Sequence, residues 1–127
     1  MPRRRLLKLA LVCAQLLALA AVALGCSHTE HIGKRRTLQI ALTEYRLNPQ
    51  DVAARRGRLT ILVRNYGRLT HNLVISRRGV SAGSTPPLGP GASARLTLVL
   101  APGSYRMAST ILSDQALGQY GTLTVGS

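Results

Sequence analysis

The sequence beyond residue 36 alternates between apolar and polar side chains in short segments, and this pattern restricts the fold most. Leu38, Ile40 and Leu42 fall on one side of a segment that runs from residue 37 to 43, and residues 58–65 and 94–100 repeat the alternation. A period of two indicates strands with one buried face. No segment after residue 25 keeps a helical period over three turns. The pattern therefore predicts an all-β domain.

Turn residues separate these segments and set the number of strands. Asn48-Pro49 and Ala101-Pro102-Gly103 mark tight breaks, and the glycines and prolines of residues 81–92 predict a loop. Six or seven short strands with turns between them predict an antiparallel Greek-key β-sandwich, a pattern that several sandwich families share. Besides the three alternating segments, strands are predicted at residues 73–75, 105–111 and 121–125.

The first 25 residues have the composition of an export signal. Arg3 to Arg5 form a basic start, and the apolar run after Lys8 is 16 residues long, whereas a membrane-spanning helix needs about 20. Ala23-Leu24-Gly25-Cys26 resembles the lipobox of bacterial lipoproteins. The resemblance implies that Cys26 is lipidated and becomes the new N-terminus. An uncleaved anchor helix and ordinary signal cleavage are the alternatives, and all three place the domain outside the cytoplasmic membrane.

These features divide the chain into three parts. We expect a lipoprotein-type signal helix at residues 1–25, a polar tether at residues 26–36 and the β domain at residues 37–127. After cleavage Cys26 is the only cysteine, so no intramolecular disulfide is expected. The predicted location is the outer face of the cytoplasmic membrane, in the cell envelope, with the lipid on Cys26 as the anchor.

Positive charge is the main surface property that the composition predicts. The net charge of the chain is +13, and removal of the four basic residues of the signal leaves +9. Such a charge favours contact with anionic lipids or wall polymers. Nucleic acid is not an expected partner, because the chain is exported and no stacking aromatics alternate with the basic residues. Only four acidic residues occur, no two of them close in sequence, which argues against an enzyme with paired carboxylates. The sequence identifies no protein partner.

Three segments of the β domain together resemble the cupredoxins, the small blue-copper sandwich family. Residues 45–65 resemble the family's paired early strands, and Thr70-His71-Asn72-Leu73-Val74-Ile75 is similar to the segment that carries the first histidine ligand. Residues 101–125, from Ala-Pro-Gly-Ser-Tyr to Tyr-Gly-Thr-Leu-Thr-Val, resemble the C-terminal ligand hairpin of members with a long ligand loop. The resemblance covers residues 37–126 and implies a cupredoxin-like sandwich.

The same resemblance implies that most of the copper ligands are replaced. In long-loop members a cysteine is followed five residues later by a histidine, and five later again by a methionine. This register puts Ser109, Asp114 and Gln119 at those positions, and only His71 keeps its ligand type. A blue-copper site requires a thiolate with two imidazoles and a weak axial ligand. Gln119 is acceptable as an axial ligand, but Ser109 offers a neutral hydroxyl in place of a soft anion. A type 1 copper centre is therefore not expected.

The altered site leaves three interpretations open. We favour a hydrogen-bonded polar cluster of His71, Ser109, Asp114 and Gln119 that fills the vacated metal position. The second interpretation is weak, non-blue metal binding through His71 and Asp114, with copper(II) or zinc as candidate ions. The third is a hydrolase triad, which requires the histidine to stand between the serine and the carboxylate. An immunoglobulin-like sandwich, by contrast, predicts that these residues do not cluster.

Taken together, the sequence predicts an exported, membrane-anchored lipoprotein with a degenerate cupredoxin-like domain. It is expected to be no enzyme, to hold no cofactor and to act in binding or scaffolding at the cell surface. The alternative is a copper-binding or electron-transfer protein with an unusual non-blue site.

Overall fold

The computed structural model describes residues 28–127, a range that is built of β-strands. The predicted signal helix and the lipidation site at Cys26 lie outside the described residues. No helix long and apolar enough to cross a membrane occurs in the described range. In chain order the strands are β1 (Thr29–His31), β2 (Thr37–Thr43), β3 (Arg46–Asn48), β4 (Asp51–Arg55), β5 (Gly57–Asn65), β6 (Val74–Arg77), β7 (Val80–Ser84), β8 (Ser93–Leu100), β9 (Gly103–Ala108) and β10 (Tyr120–Gly126).

The strands form two sheets, which confirms the predicted β-sandwich. One sheet has the order β1-β4-β10-β9-β6-β7 and the other β3-β2-β5-β8. The sheets are mixed and not purely antiparallel as predicted, because β1–β4, β4–β10 and β2–β5 pair in parallel. The physical reason is the path of the chain. It leaves the smaller sheet after β3, adds β4 to the larger sheet, and returns as β5 in the same direction as β2.

The facing sides of the two sheets form one apolar core. In β2 the side chains of Leu38, Ile40 and Leu42 are buried, as the alternation predicts. Ile61 in the smaller sheet and Leu123 in the larger are fully buried. Burying one such side chain contributes about 1.5–3 kcal/mol to folding. The core therefore fixes the two sheets against each other and, with them, the loops at their ends.

Short strands account for most of the difference from the predicted strand count. β1 lies in the segment predicted as a tether, β7 falls in the predicted loop at residues 81–92, and β4 occurs where no strand is predicted. β1 and β7 occupy the two edges of the larger sheet, and their side chains are almost all exposed. Backbone hydrogen bonds hold them, so they carry no apolar alternation for sequence analysis to detect.

The sandwich has two distinct ends. β5 runs from Gly57 at one end to Asn65 at the other, a span of about 26 Å at 3.3 Å per residue. We call the end near Asn65 the loop end, because the connections after β5 and β9 lie there. The opposite end carries the turns before β2 and between β4 and β5. In β1, Thr29 pairs with Asp51, which pairs with Thr122 near the start of β10, so the chain enters β1 from the loop end.

Candidate functional site

The loop that follows β5 holds His71 at the loop end of the sandwich. Asn65, the last residue of β5, fixes the conformation of this loop. Two backbone hydrogen bonds join His71 to Leu88, at 3.1 and 2.7 Å. The buried amide of Asn65 donates to the carbonyls of Leu69 and Leu88 at 2.7 and 2.8 Å, and its oxygen accepts from Gly67 N at 2.8 Å. These bonds satisfy the backbone of the loop and hold the imidazole of His71 in a fully buried position.

The loop between β9 and β10 supplies the other three predicted site residues. Ser109 follows β9, Gln119 precedes β10, and Asp114 lies midway between them. Ser109 N donates to Gln119 O at 3.1 Å, and Gln119 N donates to Asp114 O at 2.9 Å, so the loop folds back on itself. All three side chains are buried. The structure thus brings together the residues that an immunoglobulin-like sandwich would keep apart.

A chain of side-chain contacts runs through the cluster with Asp114 at its centre. Ser109 Oγ donates to Asp114 Oδ2 at 2.6 Å. The same oxygen lies 2.7 Å from His71 Nδ1, and His71 Nε2 lies 3.3 Å from Glu44 Oε1. Hydrogen bonds to an ionised acceptor are shorter and stronger than neutral ones. The side-chain contacts therefore connect Ser109 to Asp114, Asp114 to His71, and His71 to Glu44.

Glu44 is a site residue that the sequence analysis does not identify. It stands just after β2, its side chain is 34% exposed, and Oε1 accepts from Arg68 N at 2.6 Å and Leu69 N at 2.8 Å. The pKa of Glu44 is lowered, chiefly by the bond from Leu69 N and further by His71 and Arg68 N, while partial desolvation acts in the opposite sense. Glu44 follows the buried Leu42 by two residues, and residues two apart in a strand point to the same face. This spacing is the only sequence signal for Glu44.

The side chains of the cluster are not connected in the order that a hydrolase triad requires. In a triad the imidazole stands between the serine and the carboxylate, so that it can take the serine proton. Here Ser109 bonds to Asp114, and the two nitrogens of His71 face Asp114 and Glu44. Both nitrogens of the imidazole therefore face carboxylates, and the ring makes no hydrogen bond to the hydroxyl of Ser109 within residues 28–127.

Asn72 completes the cluster from the neighbouring position. Its Oδ1 accepts from Thr110 N at 2.8 Å and lies 3.2 Å from Ser109 Oγ, and Asn72 N donates to Ser109 Oγ at 3.2 Å. Asn72 thus connects the loop that carries His71 to the β9–β10 loop.

The side chain of Gln119 is only partly satisfied. Its amide nitrogen donates to Arg46 O at 3.2 Å. Within residues 28–127 the buried Oε1 of Gln119 has no hydrogen-bond partner.

The donor set does not fit a type 1 copper ion. Residues 28–127 contain no cysteine, so no thiolate is available, and the cluster has a single imidazole. Asp114 and Glu44 lie at opposite edges of the His71 ring and do not converge with it on one point. Accordingly, no group of three or more His, Cys, Asp and Glu side chains in the described range is arranged to hold a metal.

Comparison of this chain with known proteins identifies a matching family and solved structures that share the fold. The model of the cupredoxin-like domain family matches residues 16–125. No curated protein is detectably similar in sequence. Reduced auracyanin of Roseiflexus castenholzii has a TM-score of 0.68 at 24% identity and covers 75% of this chain and 100% of its own.

Two further solved structures share the fold at lower identity. Auracyanin A of Chloroflexus aurantiacus, a "blue" copper protein, has a TM-score of 0.63 at 15% identity, with 76% of this chain and 99% of that chain covered. An azurin of Methylomonas sp. strain J has a TM-score of 0.63 at 11% identity, with 72% and 98% covered. Together with the family match, these likenesses confirm the predicted cupredoxin-like sandwich.

Proposed function

This chain belongs to the cupredoxin-like domain family, and on that premise we propose that it uses the fold without type 1 copper. In this proposal it is an exported, lipid-anchored protein with a non-catalytic binding or scaffolding role at the cell surface. The observation that carries the proposal is the row of hydrogen bonds that joins Ser109, Asp114, His71 and Glu44. The family resemblance assigns the first three of these residues to ligand positions.

The cluster supports loss of copper because most of its polar groups satisfy one another, and among the buried side-chain nitrogens and oxygens of residues 28–127 only the Oε1 of Gln119 lacks a partner. Asp114 Oδ2 receives the hydroxyl of Ser109 and faces Nδ1 of His71, and both nitrogens of that ring already face carboxylates. A buried polar group without a partner costs about 1–3 kcal/mol. A metal ion at His71 would have to displace one of these contacts, and no thiolate is present to compensate for it.

Export and lipid anchoring are supported by the sequence before the described residues. The basic start, the apolar run and the Ala23-Leu24-Gly25-Cys26 motif are the features of a lipoprotein signal. β1 begins at Thr29, so only Ser27 and His28 separate Cys26 from the first strand. A lipid on Cys26 would therefore hold the domain close to the membrane surface. Mass spectrometry of the N-terminus, with Cys26→Ser as the control, tests this part of the proposal.

Calorimetry of the full chain with copper(II), copper(I) and zinc tests the loss of the metal site. We expect no binding, or weak binding that is unchanged in His71→Ala. Micromolar or tighter binding that His71→Ala abolishes would contradict the proposal. An intense thiolate-to-copper absorption band would contradict the register that places Ser109 at the cysteine position.

A second candidate is a copper-binding or electron-transfer protein with a non-blue site. It is favoured by the buried Oε1 of Gln119, which has no hydrogen-bond partner within residues 28–127. The family resemblance assigns Gln119 to the axial-ligand position. Imidazole and carboxylate are acceptable copper(II) ligands. This candidate predicts that Gln119→Leu weakens copper(II) binding along with His71→Ala, a result that the first proposal does not allow.

A further inference from the structure

The basic residues of the described domain lack acidic partners. The chain has 17 lysines and arginines, four of them within its first eight residues, which leaves 13 in the described range against four acids. The ion-pair contacts of residues 28–127 all involve histidine, so none of these lysines and arginines is paired with a carboxylate. The positive charge is therefore uncompensated at the surface.

Five of these cations crowd together on two turns at the end opposite the loop end. Arg36 joins the turns, since its guanidinium donates to the carbonyls of Arg55, Arg56 and Arg58 at 2.6, 3.1 and 3.0 Å. Arg36 O in turn accepts from Thr60 N at 3.0 Å. The exposed side chains around this joint make up what we call the basic pole: Lys34, Arg35, Arg55, Arg56 and Arg58.

The acidic residues lie elsewhere in the domain. Glu44 and Asp114 belong to the cluster at the loop end. Asp51 begins β4 and Arg55 ends it, so about 13 Å of strand separates these two residues, and the register of Glu30 puts it about 10 Å from Arg55 along the strand direction. Glu30 lies in β1 beside Val52. With no carboxylate among them, the five like charges create a strong positive potential that attracts a polyanion.

The direction of β1 argues against the anchoring membrane as the occupant of the pole. The chain enters β1 at Thr29 from the loop end, so the described residues begin at the end of the sandwich away from the pole. The two ends are about 26 Å apart along β5, whereas salt screens charges beyond about 8 Å at physiological ionic strength. The anionic bilayer surface therefore exerts little pull on the pole of an anchored domain.

We propose that the basic pole binds a soluble anionic polymer with repeated phosphate groups, on the side of the domain that faces away from the membrane. This inference rests on the proposed lipid anchoring for its direction. Four of the five cations are arginines, whose planar fork of donors matches phosphate oxygens. A polymer with repeated charges can engage both turns at once, which a single small anion cannot.

The test compares two charge-matched variants of the full chain in lipid discs of zwitterionic composition. Poly(glycerol phosphate) of defined length is the probe, with neutral dextran as the blank. Arg55→Gln/Arg56→Gln removes two charges from the pole and leaves the backbone carbonyls that Arg36 binds. Arg64→Gln/Arg95→Gln removes two charges from the outer face of the smaller sheet. Lys34→Gln/Arg35→Gln is a second pole variant in case the first does not fold.

We expect a pole variant to weaken polymer binding about tenfold at 0.15 M salt and to lower the salt slope by roughly 1.5, since each phosphate contact contributes about 0.7–0.9. The sheet-face variant should change the affinity less than threefold. Equal losses in both variants would show that net charge alone drives binding and would overturn the proposal. Absence of wild-type binding would overturn it as well.

Discs that contain acidic phospholipid test the direction of the pole. The polymer affinity of the wild type should stay within threefold of its value in zwitterionic discs. A loss of tenfold or more would show that the pole rests on lipid, which overturns the polymer assignment. The N-terminal mass of the same preparation reports lipidation separately. An unlipidated Cys26 would refute the proposed anchoring, while the comparison of variants would still decide whether the pole binds the polymer.

Discussion

Removal of the Asp114 carboxylate is the most direct test of the buried cluster. Asp114 is 5% exposed, and its Oδ2 is shared by Ser109 Oγ at 2.6 Å and His71 Nδ1 at 2.7 Å. In Asp114→Ala the hydroxyl of Ser109 can turn to Asn72 Oδ1, which lies 3.2 Å away. Nδ1 of His71 has no such alternative and stays buried without its partner.

The magnitude follows from these contacts. Leaving a buried polar group without its hydrogen-bond partner costs about 1–3 kcal/mol, so we expect Asp114→Ala to lower the free energy of unfolding by that amount. Ser109→Ala removes the hydrogen bond to Asp114 Oδ2 and the one that Ser109 Oγ accepts from Asn72 N, and it should cost about 1–3 kcal/mol. Because the two residues share a bond, the double variant should cost about 1–2 kcal/mol less than the sum of the single variants.

Urea unfolding of the full chain, followed by circular dichroism, measures these differences. A shift of the midpoint at constant slope identifies a change in stability. Asp51→Ala is the matched control, because its carboxylate takes part in none of the side-chain hydrogen bonds within residues 28–127, and it should cost less than about 0.5 kcal/mol. If Asp114→Ala costs no more than Asp51→Ala, the cluster is not a cooperative buried network and the reasoning is wrong.

Two other residues at the loop end give further predictions. The pKa of Glu44 is lowered by folding, so its contribution to stability is complete above the unfolded pKa and is lost as the pH falls through the lower folded pKa. In urea unfolding across this acidic range Glu44→Gln should flatten the loss of stability, and profiles identical to the wild type would contradict this prediction. Asn65→Ala breaks three hydrogen bonds to the loop that carries His71 and should cost about 2–3 kcal/mol. The exposed Asn48→Ala is its control, and an equal cost for both variants would refute the role of Asn65.

The strands with one buried face could be predicted from sequence because burial leaves a mark on side-chain type. Leu38, Ile40 and Leu42 alternate with polar residues, and β2 has the predicted bounds of residues 37 and 43. β9 ends at Ala108, earlier than the predicted residue 111, because Ser109 turns into the loop to meet Asp114. Edge strands such as β1 carry no such mark, since backbone pairing with a neighbour holds them.

Only part of the candidate site could be predicted from the sequence, and that prediction depended on the family resemblance. It brought His71, Ser109, Asp114 and Gln119 into one register, and the structure places all four in a buried position at one end. The spacing of the site residues in the sequence could not predict that Glu44 joins them. Its contact with His71 depends on the loop that presents Arg68 N and Leu69 N to the Glu44 carboxylate. Such a meeting of β2 with a loop more than 20 residues later is set by tertiary folding alone.

The short first strand has a mechanical consequence for an anchored domain. Under the proposed anchoring, a force that pulls the domain away from the membrane enters it through β1. β1 lies parallel to β4, and a pull along the strand axis enters it at Thr29. The force therefore loads the ladder between them in shear, so that its hydrogen bonds bear it together and are not opened one by one. The bond from Ile32 N to Ala53 O, at 2.9 Å, extends the same ladder by one residue. Under the proposed anchoring, a strand of three residues would thus serve as the mechanical joint between the lipid and the fold.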